Sequence, residues 1–166
     1  SIGIASSGGA GRVTAEWMIN GYMTEDLYSL DIKRFQKFHS SKKFIMERVT
    51  ETLGDLYGMH WPYKQHHTSR NQRLLPYHEE LKKAGACFGQ SGEYERPMWF
   101  ALNGSKPEYK YSFNNQNWYP SVEFECKNTM ENVGLFELSP FSKYEIKGEK
   151  AYEELGKHFH LLKENR

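Results

Sequence analysis

Cysteine is scarce, neither sign of charge dominates, and no long apolar run occurs, so several broad classes drop out before any motif is read. Cys87 and Cys126 stand far apart with no C-x-x-C spacing, which excludes a disulfide scaffold or a cysteine zinc knuckle and fits a reducing compartment. With 22 basic and 21 acidic residues and a formal net charge of +1, the chain builds no field that would recruit nucleic acid or an anionic membrane. No stretch reaches the roughly 18 apolar residues that a membrane-spanning helix requires. Disorder is excluded too, because aromatic residues make up 15% of the 166. Together with 14 glycines they describe an α+β chain with many planar side chains.

What is present begins with a glycine cluster. Residues 2–5 are expected as a short buried strand, and residues 12–20 as a helix that Gly21 stops. Between them, Ser6-Ser7-Gly8-Gly9-Ala10-Gly11 would turn sharply, approach a ligand closely and offer it N–H groups at a helix N-terminus. The chain opens without methionine, as if taken from the middle of a longer one. A dinucleotide fingerprint wants an acidic residue about 20 positions on. Asp31 stands about there, but its place after Leu30 fits the cap of a short helical turn at 31–35.

Ser40 and Ser41 offer an N-cap to a longer helix whose Ile45, Val49, Leu53 and Leu56 share one side. Residues 57–73 read as an exposed connection, and Pro76 opens another helix that Gly85 terminates. Residues 86–88 and 98–100 are expected as strands around a turn at Ser91-Gly92, followed by a linker over 103–118. An amphipathic helix over 121–132 comes next, then strands at 135–138 and 143–146 around Ser139-Pro140. The tail from Glu149 is helical by Ala151, Leu155, Phe159 and Leu162.

Little of this carries chemistry by pattern alone. Neighbours His66 and His67 do not readily reach one ion together, and a helix would put His158 and His160 on different faces, so no metal site is expected. Arg70 and Arg73 have the spacing of a bidentate carboxylate or phosphate clamp, and equally of a surface ion-pair device. Glu95-Arg96-Pro97 between aromatics reads as a buried ion pair bracing a strand. No Ser/His/Asp or Cys/His arrangement and no carboxylate pair stands out.

Several ordered motifs say more than any one. The succession Ser6-Ser7-Gly8-Gly9-Ala10-Gly11, Ala15-Glu16-Trp17, Asp31-Ile32-Lys33-Arg34-Phe35, Ser69-Arg70-Asn71-Gln72-Arg73, Pro76-Tyr77, Gly85-Ala86-Cys87-Phe88 and Glu95-Arg96-Pro97-Met98-Trp99-Phe100 resembles the dimethylglycine and sarcosine dehydrogenase family. That resemblance implies a division of the chain. Residues 1–38 would be the C-terminal βα edge of an FAD-binding domain of the D-amino-acid-oxidase type, and 43–100 a small α+β central domain. Residues 101–117 would be a linker, and 118–166 the truncated start of a folate-binding domain like glycine-cleavage T protein, carried by the run from Gly134 to Lys143.

The resemblance also implies an activity: hydride transfer from an N-methyl amine to FAD, with the one-carbon unit released or passed to tetrahydrofolate. Ser6, Ser7, Gly8, Gly9, Ala10 and Gly11 would then touch FAD, while the catalytic residues are expected upstream of this chain and both cofactor sites would be incomplete. Arg70, Arg73 and Arg96 match positions read as structural braces. Leu75 departs from the family's serine and Tyr94 from its tryptophan. Residues 148–166 diverge and are expected to be a truncated or altered end. The implied partners are a small N-methyl amine and the remainder of the polypeptide, without nucleic acid or membrane; the implied location is cytoplasmic in a bacterium or the mitochondrial matrix in a eukaryote. The alternative is a non-enzymatic regulatory relative like the regulatory subunit of pyruvate dehydrogenase phosphatase, or a structural fragment.

Overall fold

The computed structural model describes residues 3–102 and 104–159, which form mixed helix with one small sheet. The chain divides into two compact units, Ser1–His60 with His66–Ser69, and Trp61–Gln65 with Arg70–Arg166.

The first unit is helical. Helix α1 runs over Gly3–Asn20, where a strand and a glycine turn were expected; Ile2 of that strand lies outside the described residues. The reason is the missing sheet: among the described residues this unit has no strand, and a lone strand would leave its N–H and C=O groups without partners. A helix satisfies them locally through bonds from residue i to i−4. Gly21 ends it as expected, at φ 76°, with its N–H donating to Trp17 O at 2.8 Å.

Three 3₁₀ turns follow at Tyr28–Leu30, Ile32–Arg34 and Lys37–Ser40. Asp31 caps the second, its carboxylate accepting from Lys33 N at 2.8 Å. Ser41 caps helix α2, Lys42–Asp55, by accepting from Phe44 N at 3.2 Å. Phe38 and Phe44 meet edge to face with centroids 5.4 Å apart, which fixes the turn against the start of α2. Ile45, Val49, Leu53 and Leu56 do share a side of the helix, yet each remains 46–56% exposed.

The second unit is built on a hairpin. Helix α3, His78–Lys83, stops at Gly85 with φ 90°, and strands β1, Ala86–Ser91, and β2, Tyr94–Phe100, pair antiparallel. Gly92 at φ 57° and Glu93 at φ 71° form the two-residue turn, both left-handed as a type I′ turn requires. Register runs from Ala86 opposite Phe100 to Ser91 opposite Tyr94, with a bulge between Cys87 and Phe88. The bulge admits Pro97, which has no N–H to give the ladder. Gly89 is needed in β1 because a Cβ there would sit 2.8 Å from Met98 Cγ and 3.0 Å from both Gln65 Cδ and Tyr109 Oη.

Leu75, Ala86, Cys87 and Trp99, each at most 4% exposed, make the apolar centre of this unit. Residues 101–117, expected as a linker, contribute Tyr109 and Tyr111, which stack at 5.6 Å and meet Trp118 edge-on. The expected exposed connection at 57–73 is also more engaged than its polarity implied. Gln65 Oε1 accepts from Gln90 N at 2.8 Å, and Gln65 N donates to Tyr111 Oη at 2.9 Å.

Helices α4, Tyr119–Glu131, and α5, Ala151–His158, follow, the latter ending before Phe159. Leu162 of the expected tail helix and His160 of the histidine pair lie outside the described residues. The expected strands at 135–138 and 143–146 do not form. Leu135, Phe136 and Leu138 are 101%, 67% and 53% exposed, so the alternation there has no sheet to pair with.

Candidate functional site

Among the described residues the most enclosed polar group is Glu95, which is fully buried. Strand β2 places it opposite Gln90, and the segment before α3 runs alongside, where Glu95 N donates to Arg73 O at 2.9 Å and Leu74 forms a parallel bridge to Glu95. Arg70 brings its guanidinium in edge-on, with Nε donating to Oε1 at 2.8 Å and Nη2 to Oε2 at 2.5 Å. Asn71 N adds a third donor at 2.8 Å, and Arg70 Nη2 also reaches Phe88 O at 3.0 Å. Burial by itself would push the Glu95 carboxyl up, but the Arg70 and Asn71 hydrogen bonds and the arginine charge outweigh it and hold the carboxyl below its usual range.

This geometry answers the choice that the Arg70 and Arg73 spacing left open. Arg70 clamps a carboxylate bidentately, but the carboxylate is the protein's own. Arg73 lies over the Tyr94 ring at 3.9 Å and donates to its Oη at 2.6 Å, while Arg96 lies 4.9 Å over Phe141. All three arginines tie parts of the second unit together. Cys87 beside them is pushed up to about 11, chiefly by burial, so it is a neutral thiol near pH 7 and no nucleophile.

The residues expected at FAD lie elsewhere. Ser6, Ser7, Gly8, Gly9, Ala10 and Gly11 form successive positions of α1, all exposed, with Ser7 Oγ donating back to Ile4 O at 2.9 Å. The N–H groups of Gly8, Gly9 and Gly11 fall beyond the first turn, where helical bonding engages them, so they are no longer the free donors of a helix N-terminus. Nothing lies within 4 Å of the Cβ that any of these three glycines would carry, which means the segment forms no cradle.

A second cluster, missed in the sequence, joins α2 to residues 66–69 of its own unit. Glu51 accepts from His67 N at 2.6 Å and Thr68 N at 2.9 Å, and also from the Thr68 hydroxyl. Burial would raise its carboxyl, yet the Thr68 hydroxyl and the two backbone donors bring it down to about 2. Asp55 stands one helical turn further, and His66 faces both, with Nδ1 3.8 Å from Glu51 Oε1 and 4.0 Å from Asp55 Oδ2. The cluster's signal in the sequence is the i, i+4 spacing of Glu51 and Asp55, while the closure by His66 depends on the fold.

One open hollow of about 290 Å³ is lined by Phe100, Ala101, Leu102, Phe124 and Glu125. Its carboxylate is already engaged, accepting from Phe100 N at 2.7 Å.

Comparison with known proteins identifies two stretches of the chain. The family model described as FAD dependent oxidoreductase central domain matches residues 20–74, and the GCVT N-terminal domain matches residues 77–159. A 4-methylaminobutanoate oxidase (formaldehyde-forming) of Paenarthrobacter nicotinovorans is 41% identical over 153 residues, which is 92% of this chain and 19% of that protein. The mitochondrial pyruvate dehydrogenase phosphatase regulatory subunit of Mus musculus is 35% identical over 93% of this chain and 18% of its own length. The mitochondrial dimethylglycine dehydrogenase of the same species is 31% identical over 88% of this chain and 17% of its own. The chain thus spans about a fifth of the length of the curated relatives it matches.

Proposed function

We propose that this chain, which belongs to the dimethylglycine and sarcosine dehydrogenase family, serves as a segment of a flavin-dependent N-methyl amine dehydrogenase or oxidase. The observation that carries this is the succession of two domain models along one chain, an oxidoreductase central domain followed at once by a GCVT domain. The reaction of the longer protein is then oxidation of an N-methyl carbon by hydride transfer to FAD, with the one-carbon unit released or passed to tetrahydrofolate. No residue described here is assigned a chemical step in it.

The segment Ser6 to Gly11 does not fit FAD in its helical form, since its donors are engaged and its surface is convex. We place FAD contact by these six residues in the strand-and-turn form, which needs neighbouring strands from the remainder of the polypeptide. That remainder is also the partner we propose for the apolar residues of α1, of which Ile4, Met18 and Ile19 are 93%, 81% and 83% exposed. The proposed location follows the organism, mitochondrial matrix or bacterial cytoplasm. No described helix is long and apolar enough to cross a membrane.

The test is made on the full gene product. Flavin absorbance together with oxidation of dimethylglycine, sarcosine or 4-methylaminobutanoate supports the reading. A product with neither, which instead alters a pyruvate dehydrogenase phosphatase, moves it to the regulatory reading that the 35% identity to the mouse regulatory subunit favours.

A further inference from the structure

We propose that Glu51, Asp55 and His66 form a binding site for one divalent ion of the zinc class. Helix α2 sets the two carboxylates one turn apart on a single side, and His66 closes the third corner from the segment that returns across that side. The three ligand atoms all lie within 4.8 Å of one another. The 3.8 and 4.0 Å separations of His66 Nδ1 from the carboxylates are too long for hydrogen bonds and somewhat wider than a coordinated ion needs. A tetrahedral ion with bonds of about 2.0–2.1 Å holds its ligands roughly 3.3–3.4 Å apart. Side-chain rotations that bring His66 about half an ångström nearer each carboxylate, and the two carboxylate oxygens nearer each other by up to about 1.4 Å, would close the site.

Glu51 is prepared for this role by its other contacts. Oε2 accepts from both the N–H and the hydroxyl of Thr68, whereas Oε1, the oxygen nearer His66, accepts from His67 N. A carboxylate oxygen has two lone pairs, so Oε1 keeps one toward the centre of the cluster. The donors from 67 and 68 thereby act as the outer partners that orient a metal-binding carboxylate. One imidazole nitrogen with two carboxylate oxygens suits zinc, whereas magnesium and calcium favour all-oxygen sets. The His66 side chain is 40% exposed, against 12% for Glu51 and 31% for Asp55, so the histidine edge faces water, which supplies the fourth ligand. The bound ion would fasten residues 66–69 to α2.

The experiment titrates the full chain with zinc alone by calorimetry at pH 7.5, with magnesium in parallel. The expected result is one zinc per chain, no heat from magnesium, and affinity weakened about tenfold or more in Asp55→Asn and His66→Gln. His67→Ala, which keeps its backbone donor, should bind as the parent does. Circular dichroism checks that the variants fold. A thermal melt supplies the second readout, because zinc should raise the midpoint of the parent and of His67→Ala but not of Asp55→Asn. No stoichiometric zinc binding, or equal binding by Asp55→Asn and His66→Gln, overturns the proposal.

Discussion

Arg70 braces the second unit through Glu95 and Phe88 O. Its side chain is only 22% exposed and its guanidinium is matched by one carboxylate, so removing Glu95 strands a cation in a poorly hydrated place. Glu95→Ala should cost about 3–5 kcal/mol in urea unfolding, whereas the double replacement Arg70→Met with Glu95→Leu should cost less than either single change. Single losses below about 1 kcal/mol would return the pair to the status of a surface ion pair. Glu51 gives the corresponding prediction for pH in the first unit. Its carboxyl is held at about 2 in the folded chain, against about 4.3 when unfolded. The stabilisation is therefore complete above the unfolded value and disappears as pH falls toward the folded one. In metal-free protein, Glu51→Gln should be less stable than the parent at pH 7 by on the order of 2–3 kcal/mol, and the gap should close between about pH 4.3 and 2. A gap constant with pH would contradict that account.

At the scale of elements, glycine means different things in α1 and β1. In α1 the Cβ positions of Gly8, Gly9 and Gly11 are open, so alanine at each should favour the helix by about 0.5–1 kcal/mol and raise the 222 nm dichroism of the chain. The same triple substitution in the full gene product should lower flavin content, because it favours the helix over the turn proposed to meet FAD. Unchanged flavin there would remove these residues from the cofactor site. Gly89→Ala in β1 should instead destabilise by about 1–3 kcal/mol, since the added methyl would sit 2.8 Å from Met98 Cγ and 3.0 Å from both Gln65 Cδ and Tyr109 Oη. Caps and breaks were legible at this scale for a local reason. Asp31, Ser41, Gly21 and Gly85 act through bonds or backbone angles within a few residues, and each performs the role its position announced. The strands expected over 3–5, 135–138 and 143–146 failed for the opposite reason, because a strand exists only beside another.

For the whole molecule, apolar surface is the dominant fact. Among the described residues, only Leu75, Ala86, Cys87 and Trp99 are buried apolar side chains, while large ones on α1, α2 and after α4 face water. The purified chain alone is therefore expected to show no flavin absorbance and no N-methyl amine oxidation; a stoichiometric yellow cofactor on it would sink that expectation. The family itself was legible in the ordered motifs, since residue order survives whatever the fold does with it. So were the hairpin, the capped helices and the bracing character of Glu95-Arg96-Pro97, because local periodicity, turn chemistry and charge among aromatics carry them. What only tertiary structure decided is which distant groups meet. Arg70 found Glu95 rather than a ligand, Glu51 and Asp55 found His66, and the opening glycines became a helix, because each outcome depends on a partner many residues away or on a sheet that this chain does not build.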